Sequence, residues 1–168
     1  MARAHPTPAQ RRPAGGRAGS RPLIAGLLAA GFAALAQASD AQGPLTLQAH
    51  VILASNEGQG VDKAIEGIGG ELRKIFRYSR YQLLTRMSGR AALKEAWRAP
   101  LPGGRTLQVT PLAVQDGLWQ VGVKILRGGG PSEESLLTST VKLRSGGSVL
   151  LAGPPHDQGI LVIALSAH

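Results

Sequence analysis

The chain has 168 residues, no cysteine, and 19 Lys and Arg against 10 Asp and Glu, which gives a net charge of +9. The lack of cysteine excludes disulfide bonds, a lipid-modified cysteine and cysteine-based zinc sites. The positive charge is unevenly distributed, because residues 39–168 hold 14 Lys and Arg against 10 Asp and Glu, a net charge of only +4. That moderate excess is not the footprint of a nucleic-acid-binding protein, so we expect no nucleic acid among its partners.

Residues 1–38 have the pattern of an export signal. Their polar leader contains five arginines and no acid, an apolar run follows from Leu23 to Ala36, and Ala36-Gln37-Ala38 supplies a small-x-small cleavage site. We therefore predict a cleavable signal peptide at 1–38 and a periplasmic or secreted protein. The alternatives are cleavage after Ala41 and retention as an anchor, although a spanning helix needs roughly 20 apolar residues and this run is shorter. After cleavage we expect no stable transmembrane segment.

The first elements after the signal are a linker, a strand and a helix. Residues 39–44 are predicted to be flexible, and residues 45–168 to form a single domain. Alternating and then continuous apolar residues from Leu45 to Ser55 predict a first strand in a central position. After a loop at 56–60, apolar residues recur at helical spacing from Val61 to Phe76, which predicts one amphipathic helix.

Strand patterns dominate the remainder of the chain. Further strands are predicted at 81–87, 105–114, 118–126, 134–143, 148–152 and 160–166, with a less regular one at 92–98. Asp116-Gly117 between two alternating stretches is a strong hairpin signal, and residues 154–159 have the composition of a loop. This order predicts an α+β fold, with the helix packed on one mainly antiparallel sheet of about six or seven strands.

Several of these strand and turn motifs resemble small exported proteins of uncharacterised bacterial families. The similarity extends roughly over residues 47–167, and its motifs include Tyr78-x-x-Tyr81-x-Leu-Leu, Leu101-Pro-Gly-Gly-Arg105 and Gly146-Gly-x-Val-Leu-x-Ala-Gly-Pro154. The last motif is also similar to a hairpin in the β-domain of outer-membrane secretins. These motifs carry no catalytic or ligand-binding residue, so the resemblance implies export and a β-rich fold but no chemistry.

Catalytic and metal-binding patterns are sparse. His156 with its neighbour Asp157 is the one pair that suggests a small-ligand site or a hydrolase, with a serine as nucleophile. No G-x-S-x-G motif accompanies the pair, and a zinc site needs three or four ligands. Gly58 and Gly60 precede the helix, but they lack the Lys-Ser/Thr of a phosphate-binding loop. We therefore expect no metal, no cofactor and no catalytic residue, and the site around His156 is the alternative.

A basic cluster is the remaining functional feature. Residues 71–105 contain nine Lys and Arg but only two acids, Glu71 and Glu95. Six of the cations are predicted to form a binding face: Arg73, Lys74, Arg77, Arg80, Arg86 and Arg90. Because export removes nucleic acid as a target, this face would bind an envelope protein or an anionic envelope surface. The sequence thus predicts a non-enzymatic interaction or assembly module that acts through surface or strand-edge contacts.

Overall fold

The computed structural model describes residues 43–168, so the predicted signal peptide and most of the predicted linker lie outside the described residues. Within this part the chain forms nine strands and one α-helix. In chain order they are β1 (Leu45–Ser55), β2 (Gly60–Val61), α1 (Glu66–Ile75), β3 (Arg80–Ala91), β4 (Trp97–Leu101), β5 (Arg105–Gln115), β6 (Leu118–Arg127), β7 (Glu134–Arg144), β8 (Ser148–His156) and β9 (Gly159–Ala167). Short 3-10 turns occupy Lys63–Ile65 and Gly130–Ser132.

The strands form two sheets rather than one. Sheet A has five strands in the order β2-β3-β1-β9-β8, and sheet B has four in the order β4-β5-β6-β7. Every pair is antiparallel except the short pairing of β2 with β3. The α+β class with mainly antiparallel strands is confirmed, but the single sheet of six or seven strands is wrong.

The two sheets pack face to face because each has an apolar face that must be buried. From sheet B, Leu107, Val109, Val121, Val123 and Ile125 are fully buried in the core between the sheets. Sheet A contributes alternate residues of β1 and β9 to the same core. They are Leu45, Leu47, Ala49, Val51, Leu161, Ile163 and Leu165.

The helix covers part of the opposite face of sheet A. Ile65 and Leu72 pack there against Ile52, Ala54 and Tyr81 in a second apolar cluster. Continuous apolar stretches in β1 and β9 are explained by this arrangement, since both strands are covered on two sides.

The helix starts five residues later than predicted. Val61 belongs to β2, where it pairs with Tyr81, and the 3-10 turn follows before α1 begins at Glu66. Asp62 caps that turn, because its carboxylate accepts a hydrogen bond from the N–H of Ala64 at 3.1 Å. The apolar residues at helical spacing from Val61 onward therefore belong to two different elements, because Val61 lies in β2 and the later ones lie in the 3-10 turn and in α1.

The outcome for the turns is mixed. Asp116 and Gly117 have φ values of 51° and 71°, as a two-residue hairpin turn requires, so that prediction is confirmed. The predicted loop at 154–159 is wrong, because β8 continues to His156 and pairs with Gly159 across a turn of two residues. A register shift between Ala152 and Pro155 accommodates the two prolines of β8.

Tyr81 joins the end of the helix to sheet A. It is 1% exposed, and its hydroxyl donates to the carbonyl of Phe76 and lies 3.3 Å from that of Leu72. The carbonyl of Leu72 also accepts the N–H of the C-cap residue Phe76 at 2.8 Å, so the hydroxyl matters most for the carbonyl of Phe76, which lies just beyond the helix.

We expect the substitution Tyr81→Phe to lower the free energy of unfolding by about 1 kcal/mol, because it removes the hydroxyl that donates to the part-buried carbonyl of Phe76. Chemical denaturation of the full chain measures this change. Tyr78→Phe is the matched control, because the side chain of Tyr78 is half-buried. Equal stability of Y81F and the parent chain would show that the hydroxyl does not support the helix end.

Candidate functional site: the polar face and open edge of sheet A

Within residues 43–168 the helix covers only part of the outer face of sheet A, and a polar surface lies beside it. The strand register places the side chains opposite those of the core on this side. We call this surface the polar face. It consists of Thr46, Gln48 and His50 on β1, Arg86, Ser88 and Arg90 on β3, Ser148 on β8, and Ser166 and His168 at the end of β9.

The polar face is organised in rows across the strands. Arg86 lies opposite His50, and Arg90 lies opposite Thr46. Between these pairs, Ser88, Gln48, Ser166 and Ser148 form one row across four strands. The face thus combines two guanidinium groups with hydroxyl and amide groups, and it contains no acidic residue.

The two arginines of the polar face have no acidic partner within 4.0 Å among residues 43–168. The ion pairs in this part of the chain are Arg98–Glu133 at 3.0 Å, Arg127–Glu134 at 2.6 Å and His156–Asp157 at 3.5 Å. Arg86 donates to the carbonyl of Ala64 in the 3-10 turn, which fixes its side chain beside the start of the helix. The positive charge on this face is therefore available to an external anion.

A β-bulge at Leu84 determines which cations share the polar face. Ile52 pairs with Leu83 and Val51 pairs with Thr85, so Leu84 is an extra residue in β3. Arg80, which lies opposite Ser55, and Arg86 would share a face in a regular strand, but the bulge places them on opposite faces.

The six predicted cations therefore occupy three places. Arg86 and Arg90 lie on the polar face, and Arg80 lies on the other face of β3. Arg73, Lys74 and Arg77 are exposed at the end of α1, whose last turn contacts Tyr81, whereas Arg86 contacts the 3-10 turn that precedes α1. These two groups therefore lie toward opposite ends of the helix.

The outer edge of β3 is open over most of its length. β2 pairs with β3 only at Arg80 and Tyr81, and within the described residues 82–91 have no backbone partner other than β1. The other edge strands differ: β4 has five residues and contains Pro100, and β8 contains Pro154 and Pro155. β7 is the second long edge without proline.

The backbone groups at this open edge belong to the residues of the polar face. The carbonyl of Thr46 accepts a hydrogen bond from the N–H of His168 at 2.9 Å, on the β9 side. Residue pairs in an antiparallel ladder alternate between hydrogen-bonded and non-hydrogen-bonded pairs. Because the backbone of Thr46 bonds to β9, the Thr46–Arg90 pair is non-hydrogen-bonded, and the same holds for the Gln48–Ser88 and His50–Arg86 pairs. The N–H and C=O groups of Arg86, Ser88 and Arg90 consequently point out of the sheet edge.

On the side facing sheet B, the same edge is apolar. Leu84, Met87 and Trp97 are half-buried against the core. The indole of Trp97 lies over Gly89, where a Cβ atom would collide with it. This close approach explains the glycine in β3 and places Trp97 at the rim between β3 and β4.

His50 is half-buried at the centre of the polar face. Burial and the neighbouring Arg86 lower the pKa of its imidazole below the ordinary value of 6.5. The folded protein thus holds His50 neutral under conditions in which the unfolded chain protonates it.

We expect the free energy of unfolding to contain a contribution from His50 that is complete above pH 6.5 and is lost as the pH falls through the lowered pKa. Denaturation of the full chain and of H50Q at two pH values measures this contribution. The values pH 7.5 and pH 5 lie about one unit above and one and a half units below the ordinary pKa of 6.5. The parent chain should lose more stability on acidification than H50Q. An identical loss in both would show that His50 titrates normally.

His156 is the last residue of β8 and directly precedes the two-residue turn to β9, in which the side chain of Asp157 is 70% exposed. The nearby Arg105 donates to the carbonyl of Pro155 at 2.8 Å, and its Nε and Nη1 atoms are buried without a partner among the described residues. Three cavities of about 210, 110 and 340 Å³ occur among residues 43–168, and neither His156 nor Arg105 lines any of them. The structure brings no serine to His156 by any hydrogen bond within residues 43–168.

No group of three or more His, Asp and Glu among residues 43–168 is placed to hold a metal ion. In the same region no helix is long and apolar enough to cross a membrane.

Comparison of the chain with protein-family models, with curated proteins and with solved structures found no match. The resemblance to exported bacterial families therefore stays a prediction, and function must be argued from the polar face and the open edge.

Proposed function

We propose that the protein is an exported, non-enzymatic interaction module that binds a partner protein of the bacterial envelope through the open edge of β3. The observation that carries this proposal is the coincidence of two features at one place. The backbone groups of Arg86, Ser88 and Arg90 point out of the sheet, and the two arginine side chains beside them have no acidic partner within the described residues.

Unpaired backbone groups in a row are a template for an added strand. An edge of this kind supplies hydrogen bonds to any extended segment, and the side chains beside it supply selectivity. This mode of binding needs neither a deep pocket nor a nucleophile. The alternative, a small-ligand site or hydrolase around His156, lacks an equivalent observation, because within residues 43–168 His156 contacts Asp157 but no serine hydrogen-bonds to it.

The export part of the proposal rests on residues 1–38, whose charge and apolar run have the pattern of a signal peptide. Mass spectrometry of the protein recovered from a native envelope fraction tests it. A mature chain that begins at Ser39 or Gln42 supports export with cleavage. An intact chain found only in the cytoplasm would contradict it.

Site-specific photo-crosslinking in cells tests the edge-binding part. A photoreactive residue at Arg90 on β3 should give adducts with an envelope protein, and the added substitution Ser88→Pro should abolish them by removing an edge N–H. Thr140 on β7 is the matched position, because it lies on the other proline-free edge strand. Adducts at position 140 but none at 90, or adducts at 90 that survive S88P, would contradict binding at β3.

A further inference from the structure

We infer that the open edge of β3 selects an extended acidic segment with two carboxylates four residues apart and apolar residues between them. This inference rests on the proposed edge binding and specifies the chemistry of the partner.

The outward side chains of an added strand lie on the polar face. Arg86 and Arg90 are four residues apart in β3, so their Cα atoms are about 13 Å apart. A strand paired with β3 places two of its own residues directly opposite them, at the same spacing and within reach of an ion pair. The partner that this geometry complements has Asp or Glu at its first and fifth positions.

The partner's third residue lies opposite Ser88, in the row of hydroxyl and amide groups. That row continues through Gln48 and Ser166, which carry no charge. A Ser or Thr fits there, because its hydroxyl extends the row by one strand.

The inward side chains meet an apolar rim. The partner's second and fourth residues lie opposite Gly89 and Met87, on the side that faces sheet B. Met87 and Trp97 are half-buried there and retain apolar surface that an added strand can cover. Val or Ile fits these positions, because a β-branched side chain packs well on a pleated surface.

A second copy of the chain is a poor occupant of the same edge. Antiparallel pairing of two β3 strands about Ser88 would place Arg86 of each copy opposite Arg90 of the other. Like charges directly opposite each other destabilise a strand pair. The arginines therefore disfavour self-association while they favour an acidic partner.

A short synthetic peptide tests this inference with the purified full chain. The probe contains Glu-Val-Thr-Val-Glu between serine flanks, and its palindromic order is the same in both strand directions. We expect saturable binding, a blue shift of Trp97 emission, and weaker binding as salt is raised. Replacing both glutamates with lysine should weaken binding by about tenfold, and R86E/R90E should reverse that preference.

Methylation of single peptide nitrogens provides the matched control. An added strand that is antiparallel to β3, like the other long pairs of sheet A, places the nitrogen of its third residue toward Ser88 and that of its fourth residue away from the edge. A parallel strand would exchange these two directions. Methylation at the third position should abolish binding, and methylation at the fourth should leave it within about twofold, since only the former removes a donor to the edge.

Each outcome decides between the two proposals. Equal binding of the Glu and Lys peptides, with the methylation pattern retained, would overturn the acidic selectivity and leave edge binding intact. Binding that ignores the methylation position would overturn pairing with β3. Absence of binding by every peptide would overturn the inference, and the crosslinking at Arg90 would then decide separately whether the edge has a partner. Self-association that R86E/R90E abolishes would assign the edge to a second copy.

Discussion

Replacement of Gly159 by alanine is expected to lower the free energy of unfolding by about 3 kcal/mol. Gly159 begins β9 and lies opposite Ser55 at the end of β1. A Cβ atom at this position would collide with the carbonyl oxygen of Ala54 and lie 3.0 Å from Cβ of Ser55. Because the obstacle is backbone rather than a flexible side chain, the two strands would have to separate.

Chemical denaturation of the full chain measures this effect, and Gly129→Ala is its control. Gly129 lies in the loop between β6 and β7, and a Cβ atom there would have no neighbour within 4 Å. G129A should change stability by less than about 0.5 kcal/mol. If G159A were as stable as G129A, β1 and β9 could not approach as closely as described.

The second large effect concerns the core between the sheets. Leu107→Ala should lower the free energy of unfolding by about 2 to 5 kcal/mol, because Leu107 is fully buried and its truncation leaves a cavity. Gln108, its neighbour in β5, lies on the outer face of sheet B and is the control. Q108A should cost less than about 1 kcal/mol. Similar small effects of both substitutions would mean that sheet B does not pack on sheet A.

The sequence predicted most of the strands because alternation is a local signal. The less regular strand predicted at 92–98 is wrong, since β3 continues to Ala91 and β4 begins only at Trp97. The predicted range of β1, Leu45–Ser55, matches the observed one, and the hairpin at Asp116-Gly117 forms as expected. Alternation shows which side chains of β5 and β6 are buried, but it does not show what buries them. The division into two sheets was missed for that reason, although the apolar stretches from Val51 to Ala54 and from Leu161 to Leu165 are typical of strands covered on both faces.

The candidate site was predicted only in part. Arg86 and Arg90 were among the six predicted cations, and their spacing places them on one face of a strand. The bulge at Leu84 was not predictable, because Leu83 and Leu84 are both apolar and give no sign of where the alternation shifts. The polar partners were visible in principle, since Thr46, Gln48 and His50 alternate with the buried residues of β1.

The open edge of β3 could be recognised only from the structure and not from the sequence. Only the pairing of strands shows that β3 has a single long partner, β1, within the described residues. The direction of its backbone groups follows from the hydrogen bond between His168 and Thr46, which joins distant parts of the chain. The function proposed for the protein is therefore based on a long-range feature that no local motif encodes.

Arg86 and Arg90 have two effects at the open edge of β3. They protect the free protein from edge-to-edge association, and they mark the partner that is accepted. Loss of both charges in the neutral variant R86S/R90S should consequently increase self-association and decrease binding of an acidic segment. R86E/R90E would not increase self-association, because it keeps like charges opposite each other.

Amide hydrogen exchange of residues 85–91, measured by NMR on the full chain without a partner, tests the open edge most directly. The amides of Arg86, Ser88 and Arg90 should exchange rapidly because they point away from β1, and those of Met87 and Gly89 should be protected because they face it. Addition of the Glu-Val-Thr-Val-Glu peptide should then protect the first three. Uniform protection of all five amides in the free protein would contradict an open edge at β3.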